Sequence, residues 1–239
     1  MGKLYLCVAL LLMMYCMNPV IVGADSHFNE AYDVIIDVGH GGIDGGTSFN
    51  EFLEKDINLA IGIKLYEELK KRSFNVGITR IRDNALSDDS WKPHLRSRHV
   101  IDLKQRELIA DSLKPKIFVS LHVNWSKNKH RRGPVVVYQA SEASFSLAHV
   151  LQSHLNEFYG VKKNILRGNS YFLMKHLEMP SVIIEMGYLS NHKDRTIMIE
   201  EHTQDQLVHA LVQAIEEYFL IYPVIESDEH ESIVEVVQD

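Results

Sequence analysis

Three short apolar runs in this chain each lead to a side chain that can bind a metal or carry a proton. Asp33–Val38 leads to His40, Ile117–Leu121 to His122, and Val182–Ile184 to Glu185. In open α/β sheets reactive groups gather outside the carboxyl ends of the strands. Two imidazoles and a carboxylate delivered there by separate strands predict a zinc site with an open coordination position. Such a site suits hydrolysis, because zinc lowers the pKa of its bound water to about 7. The helical HExxH pair of many metalloproteases is absent from the sequence. Spacing alone also allows plainer fates: histidines satisfied within loops, and Glu185 in a buried ion pair with Arg106.

The residues around His40 narrow the chemistry. Gly39, Gly41, Gly42, Gly45 and Gly46 surround it, but neither GxGxxG nor a following Lys-Ser/Thr pair is present. This argues against a nucleotide-phosphate cradle, and the glycines read as positions where backbone approaches a metal or substrate closely. Asp37 is expected to orient His40 or to pair with a neighbour, or else to be a strand-end turn acid. Asn124 reads equally as a substrate donor or a turn former. Arg96, Arg98, Lys104, Arg106, Arg131 and Arg132 read as solvated charge.

The elements that must position these groups alternate. Asp33–Val38, Val76–Arg80, Ile117–Leu121, Val135–Tyr138, Tyr171–Met174 and Val182–Ile184 read as strands. Ile57, Ile61, Leu65 and Leu69 fall at helical spacing, and helices also fit Leu95–Leu113, Ser144–Phe158 and Gln206–Ile221. This alternation predicts a single α/β domain: a twisted, mainly parallel sheet of about six strands, with helices on both faces.

The chain has 239 residues, 46% hydrophobic and 24% charged, which fits one domain of roughly 200 residues with short appendages. Its net charge of −7 argues against a nucleic-acid partner, which calls for a basic stripe. Lys3, the uncharged apolar run Leu4–Met17, the Asn18-Pro19 break and the small residues near Gly23-Ala24 read as a secretory signal peptide over residues 1–24; a membrane anchor there is the alternative. Either way the protein is expected to work outside the cytosol. Cys7 and Cys16 both fall in this leader, so a mature chain would have neither a disulfide nor a thiolate nucleophile. Residues 32–221 form the expected catalytic domain. Residues 222–239, with Glu226, Asp228, Glu229, Glu231, Glu235 and Asp239 and no Lys or Arg, read as a solvated acidic tail.

Four strings are more specific than any spacing. DVGHGGIDGG from Asp37, EKDINLA from Glu54, SLHVN from Ser120 and PSVIIEMGYLSN from Pro180 follow one another in that order. Together they resemble the zinc-dependent N-acetylmuramoyl-L-alanine amidases, over about Val34 to Phe219. The segment Asp88–Lys104 is similar to the members that process spore cortex. The resemblance implies that His40, Glu54 and His122 bind Zn²⁺ and that Glu185 is the catalytic carboxylate. Without it, Glu54 would read as a first-turn acid complementing a helix dipole. The implied substrate is peptidoglycan, cut between N-acetylmuramic acid and L-alanine, with an activator protein as an open possibility. A zinc peptidase acting within the stem peptide and a non-catalytic wall-binding module are the alternatives.

Overall fold

A computed structural model describes residues 31–89 and 97–222. The expected leader (residues 1–24), Arg96 and the acidic tail from residue 223 lie outside the described residues. The elements in chain order are β1 (Val34–Val38), β2 (Ser48–Phe49), β3 (Phe52–Leu53), α1 (Glu54–Lys71) and β4 (Val76–Ile78). A 3₁₀ turn (Leu86–Asp89), α2 (Arg98–Leu113), β5 (Ile117–Asn124), β6 (Val135–Tyr138) and α3 (Glu142–Tyr159) come next. The chain continues with β7 (Leu166–Arg167), α4 (Phe172–His176), β8 (Ser181–Tyr188), α5 (His192–Ile199) and α6 (Glu201–Ile221).

Six strands form one sheet in the order β4-β1-β5-β8-β6-β7. Every pairing is parallel except β6 against β8, and β2 with β3 makes a separate hairpin. This is the mainly parallel α/β sheet expected from the sequence. Successive strand residues point to opposite faces, so each central strand feeds two cores. Val34, Ile36, Val38, Val119, Leu121, Val182 and Ile184 face the larger one, built with α1, α3 and α6. Ile35, Phe118 and Ile183 face a smaller one, closed by α2 and α4 through Ala110, Leu173 and Met174. Fully buried side chains such as Leu65, Leu121, Leu151 and Ile184 contribute roughly 1.5–3 kcal/mol each.

Local chemistry sets the helix ends. Ile57, Ile61, Leu65 and Leu69 form the buried stripe of α1, and Lys70 and Lys71 complement the dipole in its last turn. Ser97 caps α2 by accepting the Val100 N–H, and Ser141 caps α3 by accepting the Ser144 N–H. Gly160 closes α3 at φ 60°. No helix among the described residues is long and apolar enough to cross a membrane.

Four expectations are corrected. Tyr171–Met174 is not a strand: Tyr171 precedes the short helix α4, which buries the neighbours Leu173 and Met174 together. A strand would have sent that pair to opposite faces, and an apolar run of four carries no periodicity to reveal the difference. The second strand stops at Ile78 rather than Arg80, and α2 begins at Arg98 after the extended cap Ser97, with Leu95 outside the described residues. The strands β5 and β8 run on to Asn124 and Tyr188, because the ladder between them continues past His122 and Glu185. Those two residues therefore lie within strands instead of following them.

Candidate active site

The smaller sheet face changes character row by row toward the carboxyl ends. Ile35 pairs in register with Phe118, Asp37 with Ser120, and Ser120 with Ile183. One step further, His122 pairs with Glu185. An apolar row, a polar buried row and a reactive row thus stack along the same strands. Parallel partners in register point the same way about 4.8 Å apart, so His122 and Glu185 share one side of the sheet.

Glu54, at the start of α1, draws the two histidines together. Its Oε1 lies 3.2 Å from His40 Nε2 and 3.0 Å from His122 Nδ1. The same oxygen accepts the Val123 N–H at 2.9 Å, and Oε2 accepts the Thr47 N–H at 2.8 Å. Glu54 is only 4% exposed. Burial pushes its carboxyl up, but hydrogen bonds and charge from His122 and His40 outweigh that and hold it well below the usual carboxylate range. Burial pulls His40 down, yet its bonds to Glu54 and Asp44 win and raise it to about 9. The cluster therefore favours positive charge at one point.

A metal ion suits that point. One donor atom from each of His40, Glu54 and His122 lies within 4.8 Å of the others. Ligands about 2.0–2.1 Å from a tetrahedral ion sit roughly 3.3 Å apart, close to the spacings just given. Asp44 Oδ2 takes the other ring nitrogen of His40, Nδ1, at 2.9 Å, which fixes the ring with Nε2 toward Glu54. The backbone has been cleared for the cluster. A Cβ on Gly46, at φ 65°, would stand 2.5 Å from Glu54 Oε2 and 2.7 Å from the His40 ring. His40 itself adopts φ 60°, a strained conformation for a residue with a side chain.

Beneath the cluster lies an ion network that sequence reading misplaced. Arg106 is not solvated and does not pair with Glu185: it is 2% exposed, joined through Nε to Asp102 at 2.8 Å and through Nη1 to Asp37. Nη1 also donates to the Val38 carbonyl, and Nη2 to the His40 carbonyl at 3.1 Å. Asp37 is fully buried and accepts from Ser120 Oγ at 2.6 Å and Thr79 Oγ1 at 3.0 Å. Burial pushes Asp37 up, but Arg106 and then Ser120 hold it below its ordinary value. It thus supports the His40 turn through Arg106 and does not bond the imidazole. Replacing Arg106 by Met would strand two carboxylates, so unfolding in urea should show a loss of about 3–5 kcal/mol. A loss under 1 kcal/mol would contradict this placement.

Glu185 lies beside the cluster. Burial raises its pKa above the ordinary value; the charge on His122 lowers it and that on Glu54 raises it further. Asn124 closes β5 with its Oδ1 accepting the Trp125 N–H at 2.8 Å, a contact that fits the turn-forming reading. Arg132 is also less solvated than expected, donating to the Tyr159 carbonyl at 2.8 Å. Arg98, Lys104 and Arg131 are solvated charge as expected, although Lys104 pairs with Glu107. Asp44 and Arg80 were not singled out from the sequence. Asp44 was visible as the second acid of the glycine-rich string. Arg80, which donates to the Val38, Gly39 and Lys55 carbonyls, gave no signal.

The sheet and the cluster at its carboxyl ends define an α/β enzyme whose centre can hold a metal ion. The family is then fixed by comparison: the chain belongs to the N-acetylmuramoyl-L-alanine amidases, whose pattern matches residues 34–217. It is a peptidoglycan amidase. The Bacillus subtilis protein YqiI is 31% identical over 80% of this chain and 86% of its own length. The germination-specific N-acetylmuramoyl-L-alanine amidase of the same organism is 27% identical over 78% of this chain and 79% of its own. The CwlD amidase of Clostridioides difficile, solved in complex with the GerS lipoprotein, superposes with a TM-score of 0.74. It is 29% identical over 80% of this chain and all of that one.

Proposed function

We propose that this chain hydrolyses the amide between N-acetylmuramic acid and L-alanine with zinc held by His40, Glu54 and His122, and with Glu185 as the proton carrier. The observation that carries the proposal is the meeting of both imidazoles on one buried Glu54 oxygen, beside a carboxylate that burial makes more basic. When bound there, zinc supplies a Lewis acid that polarises the amide carbonyl and acidifies water. Glu185 takes the proton of the attacking water and delivers it to the departing alanine nitrogen. Asp44 keeps the His40 ring turned toward Glu54, and Arg106 and Arg80 hold the backbone carbonyls around it.

The reading extends to place and partners. Residues 1–24 direct or anchor the domain outside the cytosol, where the wall lies, and hydrolysis does not need the acidic residues 222–239. The germination-specific relative and the CwlD–GerS complex support a role on spore-type peptidoglycan with an extracytoplasmic protein partner.

The pH dependence tests the chemistry. Glu185 acts as a base only when ionised, so kcat/KM should fall as pH drops through its elevated pKa. Protons also compete with zinc for the imidazoles, so the acid limb should move to higher pH as free zinc becomes scarce. Rate profiles at two free-zinc concentrations near the dissociation constant should separate. Superimposed acid limbs would contradict metal-assisted hydrolysis.

A further inference from the structure

The three segments that carry His122, Glu185 and Glu54 also build a second concavity. β5 runs past His122 into the loop Trp125–Gly133, and β8 runs past Glu185 through Ser190 into α5. Phe49 belongs to the hairpin that leads into Glu54. The loop and the end of β8 are tied together, the Leu189 N–H donating to the Asn124 carbonyl at 2.9 Å and the Ser126 N–H to Ser190 Oγ at 3.1 Å. Between them lies a pocket of about 530 Å³, which Phe49 also lines.

Its charge is at odds with the rest of the molecule. The chain carries 32 acids against 25 lysines and arginines, yet Lys129, His130, Arg132, His192, Lys193 and Arg195 line this pocket and no acid does. Two of these cations are anchored as walls. Arg195 stacks over Phe49 at 4.2 Å and donates to the Leu189 carbonyl; Arg132 is held by the Tyr159 carbonyl and already pairs with the buried Asp194 at 3.6 Å. Lys129 and Lys193 are exposed and form no ion pair among the described residues. The anchored guanidinium of Arg195 and the exposed ammonium groups of Lys129 and Lys193 make a receptor for carboxylate.

We propose that this pocket binds the carboxylate-bearing stem peptide of the substrate and so makes the enzyme select acidic over amidated peptides. The proposal rests on the catalytic centre proposed above. The peptide leaves the scissile amide through L-alanine, and its next residue carries the first free carboxylate in acidic walls or a carboxamide in amidated ones. The pocket is walled by continuations of the segments that carry Glu54, His122 and Glu185, and its cations suit that group. An exposed ion pair discriminates by roughly twofold and a desolvated one by roughly a hundredfold; this half-open pocket should give about tenfold.

The test compares short glycan strands whose stem peptides differ only in that group, carboxylate or carboxamide. Wild-type enzyme should prefer the carboxylate about tenfold in kcat/KM. The double variant K129S/K193S should lose the preference through a higher KM for the acidic strand, with an unchanged melting temperature. K127S, on the same loop but outside the pocket, should keep the preference. Binding of the two free stem peptides, followed by calorimetry, should show the same order without any turnover. Equal kcat/KM on both strands, or equal losses on both in the double variant, would overturn the proposal. Preferential peptide binding without turnover of either strand would uphold the pocket and fault the catalytic centre instead.

Discussion

Changing Glu185 to glutamine is expected to lower kcat by about 10²–10⁴-fold while zinc content and melting temperature stay at wild-type levels. The amide keeps the shape of the side chain but cannot take a proton from water. The structure gives little reason for the fold to suffer. Glu185 makes no ion pair or side-chain hydrogen bond among the described residues, and Arg106 is fully occupied by Asp37 and Asp102. Burial raises the carboxyl's pKa, so ionising it costs energy that glutamine spares, and the variant should be slightly more stable. Loss of folding together with activity would return Glu185 to a structural role.

Removing a ligand should act differently. His122→Ala takes away one of three protein donors and leaves the buried Glu54 with His40 as its one imidazole partner, beside the Val123 and Thr47 amides. Even partners one layer outside a metal site change affinity by about 10–100-fold, so a ligand should cost at least about 100-fold. Activity should follow the zinc, and added zinc should restore part of it. Zinc binding measured by competition with a chelator checks this, and wild-type affinity in the variant would show that the ligands are misassigned.

The contrast between these residues and Arg106 shows where the sequence is legible. His40, His122 and Glu185 stood out because apolar β-branched runs lead straight to them, and in parallel sheets those ends converge. Glu54 did not stand out on spacing. An acid in a first helical turn has an ordinary reason to be there, and only the four ordered strings assigned it to the site. In the structure Thr47 and Val123 amides fix its two oxygens, contacts that join residues 7 and 69 positions apart.

Arg106 was misread as surface charge although a signal existed. Asp102, Arg106 and Ala110 are the buried residues of α2, an i, i+4 stripe in which an acid and a base replace the usual apolar pair. The carboxylate that justifies burying them, Asp37, is 69 residues away, and no local pattern reports it. The strand assigned to Tyr171–Met174 failed for a related reason, since which sheet face the run covers is decided by tertiary packing.

The most direct measurement is the chemistry of release from purified sacculi by enzyme of known zinc content. New L-alanine amino termini should appear at a rate proportional to bound zinc, rising to about one ion per chain. They should stop with chelator and return when zinc is restored. Undiminished release after zinc is stripped, or new termini within the stem peptide in place of L-alanine, would contradict a zinc amidase centred on His40, Glu54 and His122.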